Sequence, residues 1–124
     1  MSDLLLVADD EWVSNDVAAA VTDPGTRLET IDEPEDAAEV VADRRFDAVI
    51  VDMQVKNMGG MAIIRLLKDA MSGGKAEVTP IILLLDRQAD TFLARRAGAD
   101  RFLIKPFTSQ DLRAALSSLQ TAAS

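Results

Sequence analysis

Four short apolar runs constrain this chain most: residues 4–8, 48–51, 81–85 and 102–104. Each is nearly continuous. A strand with one face in water alternates apolar and polar residues, whereas a strand buried on both faces does not. The four runs therefore suit strands buried on both faces, as in a parallel sheet. A weaker run at 27–31 alternates and suits an edge strand. Helical spacing fills the gaps. Val13, Val17 and Val21 recur every four residues, and Ala37, Val40 and Val41 follow the acidic, Pro-marked start Asp32-Glu33-Pro34. Ile63, Ile64, Leu67 and Met71 form a third apolar face. Phe92 and Ala97 suggest a short helix stopping at Gly98, and Leu112, Leu116 and Leu119 form a last face. The order βαβαβαβαβα predicts an α/β fold, a doubly wound five-stranded parallel sheet with right-handed crossovers. Residues 1–124 read as a single domain, with 72–74 as the main flexible loop.

Composition removes several kinds of chemistry. The 124 residues contain no Cys and no His. That excludes a disulfide scaffold, a thiolate zinc site and a Ser-His-Asp triad within these residues. The net charge of −8 argues against direct nucleic-acid binding, which needs a basic surface. The first residues carry Asp3 and no basic segment, so no signal peptide is expected. No apolar run approaches the roughly 20 residues of a membrane span. A cytoplasmic protein is expected.

The charge is uneven. Residues 1–52 hold 15 acids and 3 bases, and residues 53–124 hold 6 acids and 10 bases. A solvated acidic surface is the plain explanation, but some acids fall at meaningful places. In open α/β sheets, ligands sit beyond the carboxyl ends of the strands. Asp9 and Asp10 follow the first run, Asp52 follows the run at 48–51, and Lys105 follows the last run. If the first and third strands are neighbours, three carboxylates and a lysine share one crevice. Two carboxylates about 4 Å apart repel by roughly 4 kcal/mol at an effective dielectric of about 20. A divalent cation relieves this, and all-oxygen ligands favour Mg²⁺, Mn²⁺ or Ca²⁺ over zinc. Phosphoryl transfer is the chemistry such a cluster serves. Each piece also has a plainer use: an Asp pair can cap the following helix, and Lys-Pro can simply turn the chain.

Three motifs resemble the receiver domain of bacterial two-component response regulators, the fold of the chemotaxis response regulator. They are Leu5-Leu6-Val7-Ala8-Asp9-Asp10-Glu11; Phe46-Asp47-Ala48-Val49-Ile50-Val51-Asp52-Met53 with Met58-Gly59-Gly60 behind it; and Gly98-Ala99-Asp100 running to Lys105-Pro106-Phe107. The resemblance implies a flavodoxin-like (βα)5 sandwich with strand order 2-1-3-4-5, residues 1–124 forming one receiver domain. It implies that Asp52 accepts a phosphoryl group from a histidine kinase or phosphotransfer protein and that Lys105 pairs with that group. It implies Mg²⁺ held by Asp10, Asp52 and the backbone carbonyl of Gln54, with Asp9 acting through water. It also implies a cis Lys105-Pro106 bond, an output domain or effector protein as partner, and no turnover beyond self-phosphorylation and autodephosphorylation.

The chain departs from the family pattern in three places. The switch hydroxyl expected at the end of the fourth strand is replaced by Leu85, followed by Asp86 where a small residue is usual. Leu85 cannot bind a phosphoryl oxygen, so coupling to the aromatic switch residue Phe102 is expected to be atypical. The stretch from 80 to 97 is about two residues short, which predicts a short or displaced fourth helix. Lys56 replaces the usual Pro; it reads first as a surface cation, second as a cation leaning toward the crevice. Arg95, Arg96, Arg101 and Arg113 mark a possible homodimer or output face. Two alternatives remain. One is a phosphorylation-independent pseudo-receiver acting as a protein-binding module. The other is a metal-dependent phosphatase with an aspartyl nucleophile, which would need an acid where Gln54 stands.

Overall fold

The computed structural model describes residues 2–56 and 58–123, the last four of these by backbone alone. The strands of the main sheet are β1 (Ser2–Val7), β2 (Thr26–Ile31), β3 (Ala48–Asp52), β4 (Ile81–Leu85) and β5 (Arg101–Ile104). All pair in parallel, in the order β2-β1-β3-β4-β5. The helices are α1 (Glu11–Ala20), α2 (Ala37–Asp43), α3 (Gly60–Ser72), α4 (Thr91–Ala97) and α5 (Ser109–Ala123). This is the expected doubly wound, flavodoxin-like order. β3 and β4 are buried along their whole length, as their continuous apolar runs require, and the alternating β2 lies at one edge.

Strand parity divides the core into two layers. Leu5, Val7, Val49, Val51, Ile81, Leu83 and Leu85 pack with α2, α3 and α4. Leu4, Leu6, Ala48, Ile50, Ile82 and Leu84 pack with α1 and α5. The helix faces follow the sequence: Val13 and Val17 of α1, Ile63, Ile64, Leu67 and Met71 of α3, and Leu112 and Leu119 of α5 are buried. The fourth helix differs in detail. It has seven residues and is preceded by a 3-10 turn at Gln88–Asp90, consistent with the short segment. Its buried residue is Ala94, whereas Phe92 is 60% exposed. A single apolar turn of sequence does not say which side of a short helix meets the sheet. Gly98 ends α4 at φ 88°, a left-handed conformation that glycine adopts without strain.

Periodicity does not reveal the antiparallel ribbon of Gln54–Val55 with Met58–Gly59 that follows β3. Val55 is fully buried and anchors it to the core. The chain then enters α3 at Gly60, where a Cβ would meet Leu83 Cδ1 at 2.8 Å and the Asp52 carbonyl at 3.0 Å. A larger residue would need the Leu83 side chain and the Asp52–Met53 backbone to shift, so glycine favours this approach, which seats the ribbon beside the end of β3.

Candidate functional site

Asp52 closes β3 at the centre of the sheet and is 2% exposed. Lys105 follows β5, two strands away, and its backbone N–H donates to the Leu85 carbonyl at 2.8 Å. Asp52 and Lys105 share the parity of the α1/α5 layer, so the lysine reaches across the end of β4. Its Nζ donates to Asp52 Oδ1 at 2.5 Å. The Lys105-Pro106 bond is cis, as the resemblance implies. Burial pushes the Asp52 carboxyl above the ordinary carboxylate value, against the pull of Lys105. Burial also opposes the charge on Lys105, but its hydrogen bonds to Asp52 and Asp86 outweigh that and hold its pKa above the ordinary value. The result is an acid held next to a fixed cation and largely removed from water.

Asp86, marked in the sequence as a departure from the usual small residue, gains a partner that the sequence did not announce. It stands one residue past β4, and its Oδ1 lies 2.9 Å from Lys105 Nζ. Lys105 thus joins two carboxylates. Nothing in the local sequence marks this pair; it follows from β4 lying between β3 and β5.

Asp9 and Asp10 lie just past β1, whose Val7 pairs with Val51 of the neighbouring β3. Both are exposed. Asp10 caps α1, its Oδ1 accepting from the Trp12 N–H at 2.8 Å. The capping use weighed from sequence is therefore present. Asp9 Oδ2 accepts from the Lys56 N–H at 2.8 Å. Gln54 donates through its side-chain amide to the Lys56 carbonyl at 3.3 Å. The expected convergence of three carboxylates is looser than the sequence suggested: among the described residues, no three acidic side chains are grouped closely enough to hold a metal. The donor chemistry still fits Mg²⁺. That ion takes one or two carboxylates and fills its octahedron with water and phosphate oxygens. Asp10 and Asp52, at the ends of adjacent strands, offer such a pair.

Lys56 is exposed and stands as a surface cation, the first of the two options open from sequence. Its ammonium hydrogen-bonds Glu33, which raises the lysine pKa and lowers that of Glu33. Its φ is 51°. Proline could supply neither that angle nor the N–H to Asp9, so the departure from the family pattern and the local backbone agree.

Leu85 is fully buried in the α2–α3–α4 layer, with Phe102 packed against the same cluster. It faces away from Asp52 and Lys105 and offers no hydroxyl to the site. The four arginines have separate uses. Arg101 donates to Ser118 Oγ at 2.8 Å and to the Asp100 carbonyl at 2.7 Å. Arg113 lines a cavity at the opposite end of the sheet with Leu4 and Ala20. Arg95 and Arg96 are exposed in the last turn of α4.

Comparison with known proteins resolves the family. The response regulator receiver domain matches residues 4–117. The chain belongs to that family. It is a receiver domain of two-component response regulators. It is 27% identical over 116 residues to the transcriptional regulatory protein AfsQ1 of Streptomyces coelicolor, covering 92% of this chain and 49% of that protein. It is 29% identical over 118 residues to the two-component response regulator PhoP of Pseudomonas aeruginosa, covering 94% and 50%. The chain thus spans about half the length of these curated relatives. The chemotaxis response regulator CheY4 of Vibrio cholerae superposes with a TM-score of 0.80 at 25% identity, covering 96% of this chain and 98% of that one. The receiver domain of the sensor histidine kinase PA1611 from Pseudomonas aeruginosa gives a TM-score of 0.81 at 24% identity, covering 95% and 96%; that structure is described with magnesium in its active-site cleft. Among the described residues of this receiver domain, no helix is long and apolar enough to cross a membrane.

Proposed function

We propose that this receiver domain takes a phosphoryl group onto Asp52 from a phosphohistidine of a histidine kinase or phosphotransfer protein, and passes the signal to an output domain or effector protein. The observation that carries this is the buried Asp52 paired with Lys105 at the carboxyl end of the central strand. These residues contain no His, so the donor imidazole lies outside them. An Asp52 oxygen attacks phosphorus and the P–N bond of the donor breaks. The donor nitrogen keeps the electron pair and takes up a proton. Lys105 balances charge on the transferred oxygens, and the apolar layers around Asp52 limit access of water. Asp10, Asp52 and the Gln54 carbonyl would hold Mg²⁺, with Asp9 acting through water. Bound Mg²⁺ supplies further charge neutralisation for the phosphoryl oxygens. Asp52 is a stoichiometric acceptor, so no turnover is expected beyond self-phosphorylation and autodephosphorylation. A cytoplasmic location, where kinase and effector meet, accompanies this role. A homodimer through α4 would use Arg95 and Arg96, both exposed in its last turn.

Phos-tag electrophoresis and intact mass after acetyl phosphate and Mg²⁺ treatment test this. One phosphoryl group is expected on the wild type and none on Asp52→Asn. Absence of modification, or its survival in Asp52→Asn, refutes the acceptor. Calorimetry with millimolar Mg²⁺ tests the metal, with weakened binding expected in Asp10→Asn. Burial of Leu85 at the switch position favours a second reading, a pseudo-receiver that binds its partner without phosphorylation. In that case partner affinity is equal in wild type and Asp52→Asn.

A further inference from the structure

Asp86 occupies a place where the family pattern has a small residue, and its contacts give it a use. Its Oδ1 lies 2.9 Å from Lys105 Nζ, and that nitrogen lies 2.5 Å from Asp52 Oδ1. The two carboxylate oxygens are therefore within about 5.4 Å of each other, the two contacts laid end to end. The Asp86 side chain is 53% exposed, and the cleft it lines is shared with Asp10, Trp12, Lys105 and Pro106. A phosphoryl group on Asp52 would enter the neighbourhood of that cleft.

We propose that Asp86 is a positioning residue that competes with the phosphoryl group for Lys105 and lowers the affinity of the site for that group. The inference rests on Asp52 being the acceptor. A phosphoryl group brings about two negative charges where the carboxylate brought one. Lys105 carries one positive charge, and with a neutral residue at 86 the group on Asp52 would have that ammonium to itself. Here Asp86 holds part of the ammonium's hydrogen-bonding capacity and adds a like charge close by. Both effects weigh more heavily on the phosphorylated state than on the free one, and only such a difference changes affinity. The half-exposed position softens the effect and makes it sensitive to salt.

Beryllofluoride, which mimics the phosphoryl group on a carboxylate, gives an equilibrium readout by calorimetry in saturating Mg²⁺. Asp86→Asn and Asp86→Ala are expected to bind it about tenfold more tightly than the wild type. Asp86→Glu, which restores the charge, is expected to bind within about twofold of the wild type. The gap between wild type and Asp86→Asn is expected to narrow as ionic strength rises. Affinities of Asp86→Asn and wild type within twofold overturn the proposal. So does tight binding by Asp86→Glu, or a gap that salt leaves unchanged. No binding by any of the four proteins instead overturns the acceptor reading on which the proposal stands.

Discussion

Replacing Leu85 with the hydroxyl residue of the family pattern is expected to damage the core. Leu85 has no exposed surface and belongs to the cluster that includes Val51, Leu83, Phe102 and Ile104. Strand parity aims it away from Asp52. Leu85→Val trims the side chain and leaves a small cavity, costing about 1 kcal/mol. Leu85→Thr trims nearly the same volume and adds a hydroxyl among apolar neighbours. The adjacent carbonyl of Leu85 already accepts from the Lys105 N–H. An unpaired buried hydroxyl costs about 1–3 kcal/mol more, so the threonine variant should lose about 2–4 kcal/mol in all. Total stability of small domains is only about 5–15 kcal/mol, so the loss is easy to measure. Urea unfolding followed by far-ultraviolet circular dichroism is the suitable assay, because Trp12 is 80% exposed and reports poorly on the core. The Val variant isolates packing, and the difference between Val and Thr isolates the hydroxyl. Equal stability of the two would show that a partner exists at this strand end and would refute the assignment of Leu85 as a plug of the α2–α3–α4 layer.

Two further outcomes follow from the site. Burial raises the Asp52 pKa above its ordinary value of 3.8, so the folded state binds this proton more tightly than the unfolded state. Its ionisation therefore costs stability as pH rises from 3.8 through the folded pKa. Without Mg²⁺, Asp52→Asn should be more stable than wild type at neutral pH, with the advantage vanishing at lower pH; thermal melts across pH check this. Lys56→Pro should cost about 1–3 kcal/mol, because the φ of 51° is forbidden to proline and the N–H to Asp9 is lost. Lys56→Gly keeps both features and should lie closer to wild type in the same urea titration. Equal stability of the Pro variant would show that the loop adopts another backbone.

Much of the fold was legible because burial leaves a local record. Continuous apolar runs marked β3 and β4 as central, alternation placed β2 at an edge, and the shortened segment after residue 80 announced a brief α4. Phe92 and Ala97 announced the short helix that stops at Gly98, but one turn of helix carries too few positions to define a face, and it is Ala94 that meets the core. The ribbon after β3 has two residues on each side and no period to read. At the site, Asp9, Asp10, Asp52 and Lys105 were found by their places after strands. What each side chain binds was not legible. Asp9 pairs with Lys56, Asp10 caps its own helix, and Asp86 shares Lys105.

By itself, the sequence determined the alternation of strands and helices, the placing of acids at strand ends, and the absence of an internal histidine donor. These are properties of single residues and of repeats a few positions long. The tertiary structure alone decided that Lys105 would be divided between two carboxylates and that Leu85 would face the opposite layer from Asp52. It also decided that Lys56 would strap its loop to Glu33. Those outcomes join residues 53, 19 and 23 positions apart in the chain. They depend on strand order, register and the side of the sheet each residue faces, which exist only once the sheet has closed around its core.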